Sequence, residues 1–276
     1  MEKRIVAKNV RVKNRFFNPS EPKMKLYHYT KLKTGVTKIF PFKELRFSSF
    51  EKVNDPLENL LHLTNYEDSI YINDNSSDFL KALHFQKDWQ VLSFSVDKKD
   101  CDEVTEGYKL HRMWAQYSEN NAGICLEVDY DKFVTENQKI IKGYYFKDDI
   151  VEYNNYALRA MPMTLLGKKH NPDVRPPFSN TYDVSPKALN ESEIKNRFFT
   201  KNTDWQGEAE YRFITYSENN DELFFSIKNS LEKVYLGVGF SKHYVPSIIK
   251  SIPAGMIGCM TLDIYGNYEV KDLPVN

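Results

Sequence analysis

Glu208, Glu210 and Arg212 recur at every second position in the stretch from Trp205 to Ile214, and this spacing is the chain's sharpest chemical signal. The stretch reads as a turn over Asp204–Gly207 feeding a β-strand, on which alternate side chains point to opposite faces. Two carboxylates and a guanidinium then share one face, while Ala209, Tyr211 and Phe213 share the other. Unpaired charge is expensive to bury. That face is therefore either a solvated ion-pair ladder or the wall of a polar cleft, and the neighbouring aromatic residues favour the cleft.

Polar residues interrupt two other apolar strand patterns. The segment 24–29 alternates so that Leu26 and His28 share one face and Tyr27 and Tyr29 the other. In the segment 89–96, Trp89, Val91, Ser93 and Ser95 point one way and Leu92, Phe94 and Val96 the other. A helix predicted over 108–118 carries Leu110, Met113, Trp114 and Tyr117 at helical spacing. Leu110 and Met113 read as core, whereas Trp114 and Tyr117 could present ring edges to a pocket. The run Asn54-Asp55-Pro56-Leu57-Glu58 has the grammar of a helix start, with Asp55 as cap, Pro56 at the first position and Glu58 closing a capping box. Metal ligation by Asp55 and Glu58 is the sharper alternative.

The elements that must position these residues suit one α+β domain over 24–276. A flexible arm over 1–23, rich in Lys, Arg and Asn, precedes it, and a Pro-rich, largely irregular insertion falls at about 150–190. Helices are predicted over 33–40, 54–64, 78–85, 191–201 and 241–250. Strands are predicted over 45–48, 124–128, 139–145, 222–227, 233–237 and 260–265.

Composition narrows the function classes. Lys and Arg total 38 of the 276 residues and Asp and Glu also total 38, so no net field draws in nucleic acid or an anionic membrane. Three scattered cysteines suggest neither a disulfide framework nor a zinc site and suit a reducing cytoplasm. The first residues lack the apolar core of a signal peptide, and no apolar run approaches the ~18–20 residues that span a bilayer. A cytoplasmic protein with no membrane partner is expected. No Gly-x-Gly-x-x-Gly, Walker loop or Gly-x-Ser-x-Gly elbow occurs, which disfavours Rossmann dinucleotide folds, P-loop NTPases and α/β-hydrolases. The six histidines show no His-x-x-x-His spacing, so no metal is expected.

Five blocks follow one another in order: Leu26-Tyr27-His28-Tyr29-Thr30, Asn54 to Glu58, Leu92-Ser93-Phe94-Ser95, Met113-Trp114 with Tyr117 and Gly123 to Leu126, and Trp205 to Arg212 with Glu208 and Glu210. Together they resemble the bacterial and phage-associated family known as domain of unknown function 2971, over roughly 25–240. The order His28, then Ser93-Phe94-Ser95, then Glu208-Ala209-Glu210 is also similar to the strand-borne set of ADP-ribosyltransferases. That second resemblance implies a central mixed or antiparallel split sheet flanked by helices, with NAD as substrate and no metal. By it, His28 holds the nicotinamide-side ribose and phosphate, and Ser93 and Ser95 brace the cleft and the glutamate. Glu210 stabilises the positive charge that develops as nicotinamide departs, and Glu208 activates the acceptor nucleophile. Tyr29, Trp114 or Tyr117 stacks on a base, and Arg212 orients Glu210 or binds phosphate. Here His28 stands where relatives with Ser-x-Ser carry Arg, and Phe94 stands where they carry Thr.

The function so implied is ADP-ribosyl transfer from NAD, or NAD hydrolysis, by a toxin or phage-defence effector. Its acceptor would be a protein or nucleic acid, with an antitoxin or defence-system partner. The alternative is a non-enzymatic nucleotide-sensing or protein-interaction module of a defence system. A metal-dependent nuclease using Asp55, Glu58, Glu208 and Glu210 is the third reading.

Overall fold

The computed structural model describes residues 23–55, 58, 88–100, 103–155, 186–187, 189–219 and 221–273. The arm, most of the insertion and the helices expected over 54–64 and 78–85 fall on residues outside this set. The strands, in chain order, are β1 (Lys25–Thr30), β2 (Glu44–Arg46), β3 (Ser48–Ser49), β4 (Trp89–Ser95), β5 (Lys98–Asp100), β6 (Glu103–Thr105), β7 (Ile124–Asp129), β8 (Tyr145–Ile150), β9 (Glu152–Tyr153), β10 (Thr200–Lys201), β11 (Glu210–Tyr216), β12 (Phe224–Ser226), β13 (Leu231–Leu236), β14 (Ile257–Leu262) and β15 (Tyr268–Asp272).

Among the described residues, nine strands form one sheet in the order β15-β14-β13-β7-β1-β4-β11-β8, with β3 added beside β4. Only β13 and β14 run parallel; every other neighbour is antiparallel, so the sheet is mixed and the fold is α+β. The pairing of β1 with β4 is limited to Tyr27 opposite Ser95. In contrast, β4 and β11 stay in register over seven positions, from Glu210 opposite Ser95 to Tyr216 opposite Trp89. Beyond Tyr27 the sheet therefore opens into a wedge between β1 and β4, and β3 closes its far side by pairing Ser48 with Val91.

Register assigns the faces, because residues directly opposite one another point the same way. Tyr27, Ser95 and Glu210 form one row, Ser93 joins Arg212, and all lie on one face. Leu26, His28, Phe94, Tyr211 and Phe213 lie on the other. This second face carries the main core. Phe94, Phe133, Phe213 and Phe225 meet edge to face at centroid distances of 5.4–6.2 Å, and each such buried ring contributes about 1.5–3 kcal/mol. The first face is divided. Trp89, Phe198 and Ile214 pack at one end, with Trp89 stacked on Phe198 at 4.3 Å. Tyr27, Tyr29, Met113 and Trp114 pack at the other. The charged residues occupy the gap between these two apolar groups.

Two local expectations are corrected. The strand expected over 139–145 is a helical turn, Gln138–Ile141, followed by a strand that begins at Tyr145. The segment Lys139-Ile140-Ile141-Lys142 lacks period-2 alternation, and one helical turn from Asn137 buries Ile141. The focal strand begins at Glu210 rather than before Glu208, because Thr203–Glu208 winds as a 3-10 turn and Ala209 takes a left-handed conformation at φ 43°. Asn202 anchors that turn, its side chain accepting from the Asp204 amide.

The loop after helix His111–Tyr117 turns through three consecutive left-handed residues, Glu119, Asn120 and Asn121. It presses the Asn121 carbonyl against Gly237, where a Cβ would lie 2.1 Å from that oxygen and 3.0 Å from the Trp114 ring. Gly237→Ala should therefore destabilise the fold by about 1–3 kcal/mol, the usual range for overpacking. Chemical denaturation measures it, and an unchanged midpoint would show that the loop yields freely.

Candidate functional site

Arg212 rises from the centre of β11 and uses all five of its N–H donors. Its Nε donates to Glu210 Oε1 at 2.7 Å and its Nη2 to Glu210 Oε2 at 3.0 Å. Its Nη1 and Nη2 donate to the two oxygens of Glu58 at 2.6 and 2.8 Å. The remaining Nη1 hydrogen goes to the Phe198 carbonyl at 2.7 Å. The planar fork of the guanidinium is what allows two carboxylates to be held bidentately at once.

Lys201, at the end of β10, supplies the second cation. Its Nζ lies 2.8 Å from both Glu208 Oε2 and Glu210 Oε2, and 3.7 Å from Glu58 Oε2. Tyr117 completes the set from helix His111–Tyr117, donating to Glu208 Oε1 at 2.6 Å. The Tyr153 hydroxyl accepts the backbone N–H of Glu210 at 2.9 Å. Glu58, Lys201, Glu208, Glu210 and Arg212 are each exposed by 5% or less. Their formal charges, three negative and two positive, sum to one negative. A buried network of this kind is tolerable because each charge faces an opposite one.

Burial by itself would push the Glu210 carboxyl up, but the charges of Arg212 and Lys201 and their hydrogen bonds hold it at about 2, below its ordinary 4.5. For Lys201, burial works to lower the ammonium's value, yet the surrounding glutamates raise it above the ordinary one. The sign follows for stability. A carboxyl depressed from 4.5 to about 2 gives stability that is present in full above pH 4.5 and lost as pH falls towards 2. The shift corresponds to about 3 kcal/mol, counted once for the Glu210–Arg212–Lys201 set. Denaturant unfolding of wild type and Glu210→Gln between pH 6 and pH 2 reads it. The wild type should lose on the order of 3 kcal/mol more across that window than the variant, and equal losses would mean the depression is absent.

A cavity of about 220 Å³ opens beside this network, in the wedge between β1 and β4. Tyr27, His28 and Tyr29 line it from β1, Val91 to Phe94 from β4, and Met113 and Tyr117 from the helix. Lys201, Glu208, Glu210 and Arg212 reach it from one side, and Arg46, Ser48, Lys52, Val53 and Asn54 from another. Residues from both sheet faces line a single cavity because the strands part there.

Of the residues expected at the site, Glu208, Glu210, Arg212, Ser93, Tyr117, His28 and Tyr29 line the cavity, and Ser95 and Trp114 do not. His28 shares no face with Glu210. Its ring packs edge-on to Phe94 at 5.6 Å, and its Nδ1–H donates to the Ser93 carbonyl at 3.1 Å. Burial lowers its pKa, partly offset by that bond, so it is a neutral group reaching the wedge from the opposite face. Ser95 does not brace Glu210, for its Oγ is fully buried without a hydrogen-bond partner. Trp114 is a core residue away from the cavity, and Tyr29, though at the cavity wall, is packed against it. They meet edge to face at 5.2 Å, with Trp114 Nε1 bonded to the Tyr108 carbonyl and the Tyr29 hydroxyl to that of Gly107. Arg212 orients Glu210 and has no donor left for phosphate.

Two partners lay beyond sequence reasoning in this role. Glu58 read as a capping-box acid or metal ligand, and in the structure its carboxylate clamps Arg212 from 154 residues away. Nothing marked Lys201, although a face with two glutamates and one arginine already called for another cation. Among the described residues, no group of three or more His, Cys, Asp or Glu side chains is arranged to hold a metal ion. Nor, among them, is any helix long and apolar enough to cross a membrane.

Helix, turn and strand thus converge on a buried acid–base network in the split of an α+β sheet. Comparison with known families agrees with the resemblance read from the motifs. The family model described as "Protein of unknown function (DUF2971)" matches residues 113–213, from Met113 through Tyr117, Lys201, Glu208 and Glu210 to Phe213. The match is shorter than the span of about 25–240 that the motif order implied. No curated protein and no solved structure matches the chain.

Proposed function

We propose that the protein cleaves the N-glycosidic bond of NAD and passes ADP-ribose to an acceptor or to water. The observation that carries this reading is the buried charged network that sets Glu208 and Glu210 at the wall of a cavity in the β1–β4 wedge. When nicotinamide departs, the bond's electron pair goes to the pyridinium nitrogen and leaves positive charge on the ribose as an oxocarbenium-like species. A fixed carboxylate interacts more strongly with that species than with the ground state, which is the condition for catalysis. Glu210, held ionised by Arg212 and Lys201, suits that role. Glu208, with Tyr117 and Lys201 on its two oxygens, would take the proton from an acceptor hydroxyl, amide or water as it attacks the anomeric carbon. A toxin or phage-defence effector is the setting proposed.

Incubation of the full chain with NAD and candidate protein or nucleic-acid acceptors, with nicotinamide followed by chromatography, tests this reading. Nicotinamide should accumulate with time and protein concentration; NAD that stays intact with every acceptor and with water sinks it. A second reading, a non-enzymatic nucleotide-sensing module, is favoured by the saturation of Arg212 and Glu210, which suits a structural ion-pair network. It predicts ligand-dependent stabilisation without turnover.

A further inference from the structure

The cavity carries cations of two kinds. Arg212 has given every donor to Glu58, Glu210 and the Phe198 carbonyl. Lys201 is fixed between Glu208 and Glu210. His28, which the enzyme resemblance would set against phosphate, is half-buried and neutral and has committed its Nδ1–H to Ser93. The inner wall therefore has no uncommitted positive charge to offer an anion, its two cations being matched by the Glu208 and Glu210 carboxylates.

The outer wall differs. Lys52 ends the 3-10 turn Phe50–Lys52, is exposed, and among the described residues makes no ion pair. Arg46, at the end of β2, is exposed and among the described residues holds the surface carboxylate of Glu222 alone, at 3.2 Å. Exposed pairs of that kind contribute little to stability and exchange readily. A cavity of about 220 Å³ is also smaller than the ~300–1,000 Å³ typical of sites that engulf a whole ligand. Only one end of a dinucleotide fits inside, and the rest must lie across the rim.

We propose that Lys52 and Arg46 form a diphosphate subsite at the mouth of the cavity, orienting a nucleotide with its glycosidic end inward. This deepens the NAD reading and rests on it for the orientation, while the subsite itself is a claim about binding. Phosphate oxygens accept charge-assisted bonds from both groups, Arg46 exchanging Glu222 for the ligand. The arrangement of the cavity, with the carboxylates of Glu208 and Glu210 within and two exposed cations at the rim, matches a nucleotide that develops positive charge at one end and carries negative charge at its middle.

The test is calorimetric titration of the full chain with ADP-ribose and with inorganic pyrophosphate. Wild type should bind both, and Lys52→Met should weaken ADP-ribose by about tenfold, as expected for one charge-assisted contact. Adding Arg46→Met should weaken it further, and Lys250→Met, a lysine away from the cavity, should change nothing. If wild type binds neither probe, if Lys52→Met binds as wild type does, or if Lys250→Met costs as much, the subsite is wrong. Nicotinamide release is a separate readout. Charge-dependent ADP-ribose binding without release would remove the proposed reaction and leave the subsite standing.

Discussion

Replacing Arg212 with Met should cost the fold about 3–5 kcal/mol, the range for removing one partner from a buried ion pair. The reason lies in what stays behind. Glu58 and Glu210 would each lose a bidentate partner while remaining almost wholly shielded from water, and the Phe198 carbonyl would lose the Arg212 N–H. Lys201 stands 2.8 Å from Glu210 but 3.7 Å from Glu58, so it can compensate the first far better than the second. Denaturant unfolding of the single variant gives the cost. The double variant Arg212→Met with Glu58→Met should recover part of it, since both ends of one pair are then apolar. Arg212→Lys should rescue little, because an ammonium has three donors where five are used. A single variant within about 1 kcal/mol of wild type, well short of the range for a broken buried pair, would show the network is solvated.

The second large effect concerns the reaction. Glu210→Gln keeps the shape of the side chain and removes its charge. If Glu210 stabilises the departing ribose cation, nicotinamide release should fall by about 10²–10³-fold, the loss typical of removing one preorganised electrostatic contact. In either orientation the amide would set its N–H₂ against a donor, Arg212 Nε on one side or Arg212 Nη2 and Lys201 on the other, so its thermal midpoint should drop. Rates must therefore be compared well below that midpoint, with circular dichroism as the check on folding. Should the amide variant not fold, Glu208→Gln offers a parallel measurement, because Glu208 touches Lys201 and Tyr117 but not Arg212. Folded variants at both positions that release nicotinamide within a few-fold of wild type would remove the carboxylates from the chemistry.

Both expectations depend on features that differ in how far they were visible in the chain. Local patterning determined the central strands. Alternation over 24–29 and 89–96 marked β1 and β4, and the short apolar run over 124–128 after a turn marked β7, a strand buried along its whole length. The opposite faces of Tyr27 and His28, and the shared face of Ser93 and Ser95, were legible for the same reason. So was the demand that Glu208, Glu210 and Arg212 find partners, which follows from the cost of burying charge. The strand wrongly expected over 139–145 failed where the pattern was short and Asn137 could start a helical turn instead.

Tertiary structure alone decided who the partners are. An ion pair between Glu58 and Arg212 leaves no mark in either neighbourhood, since side-chain charge carries no information about a residue 154 positions distant. Lys201 was ordinary in sequence and became a network cation through the pairing of β10 with β9 and the 3-10 turn that follows it. His28 illustrates the converse. Its type and order in the chain suggested one cleft with Ser93 and Glu210, and all three line the cavity, but the register of Tyr27 with Ser95 brings the imidazole to it from the other face. Sequence could list the residues able to do chemistry, because side-chain type is local. Which of them meet depends on strand register and on where the sheet splits, and those are set by the packing of the whole chain.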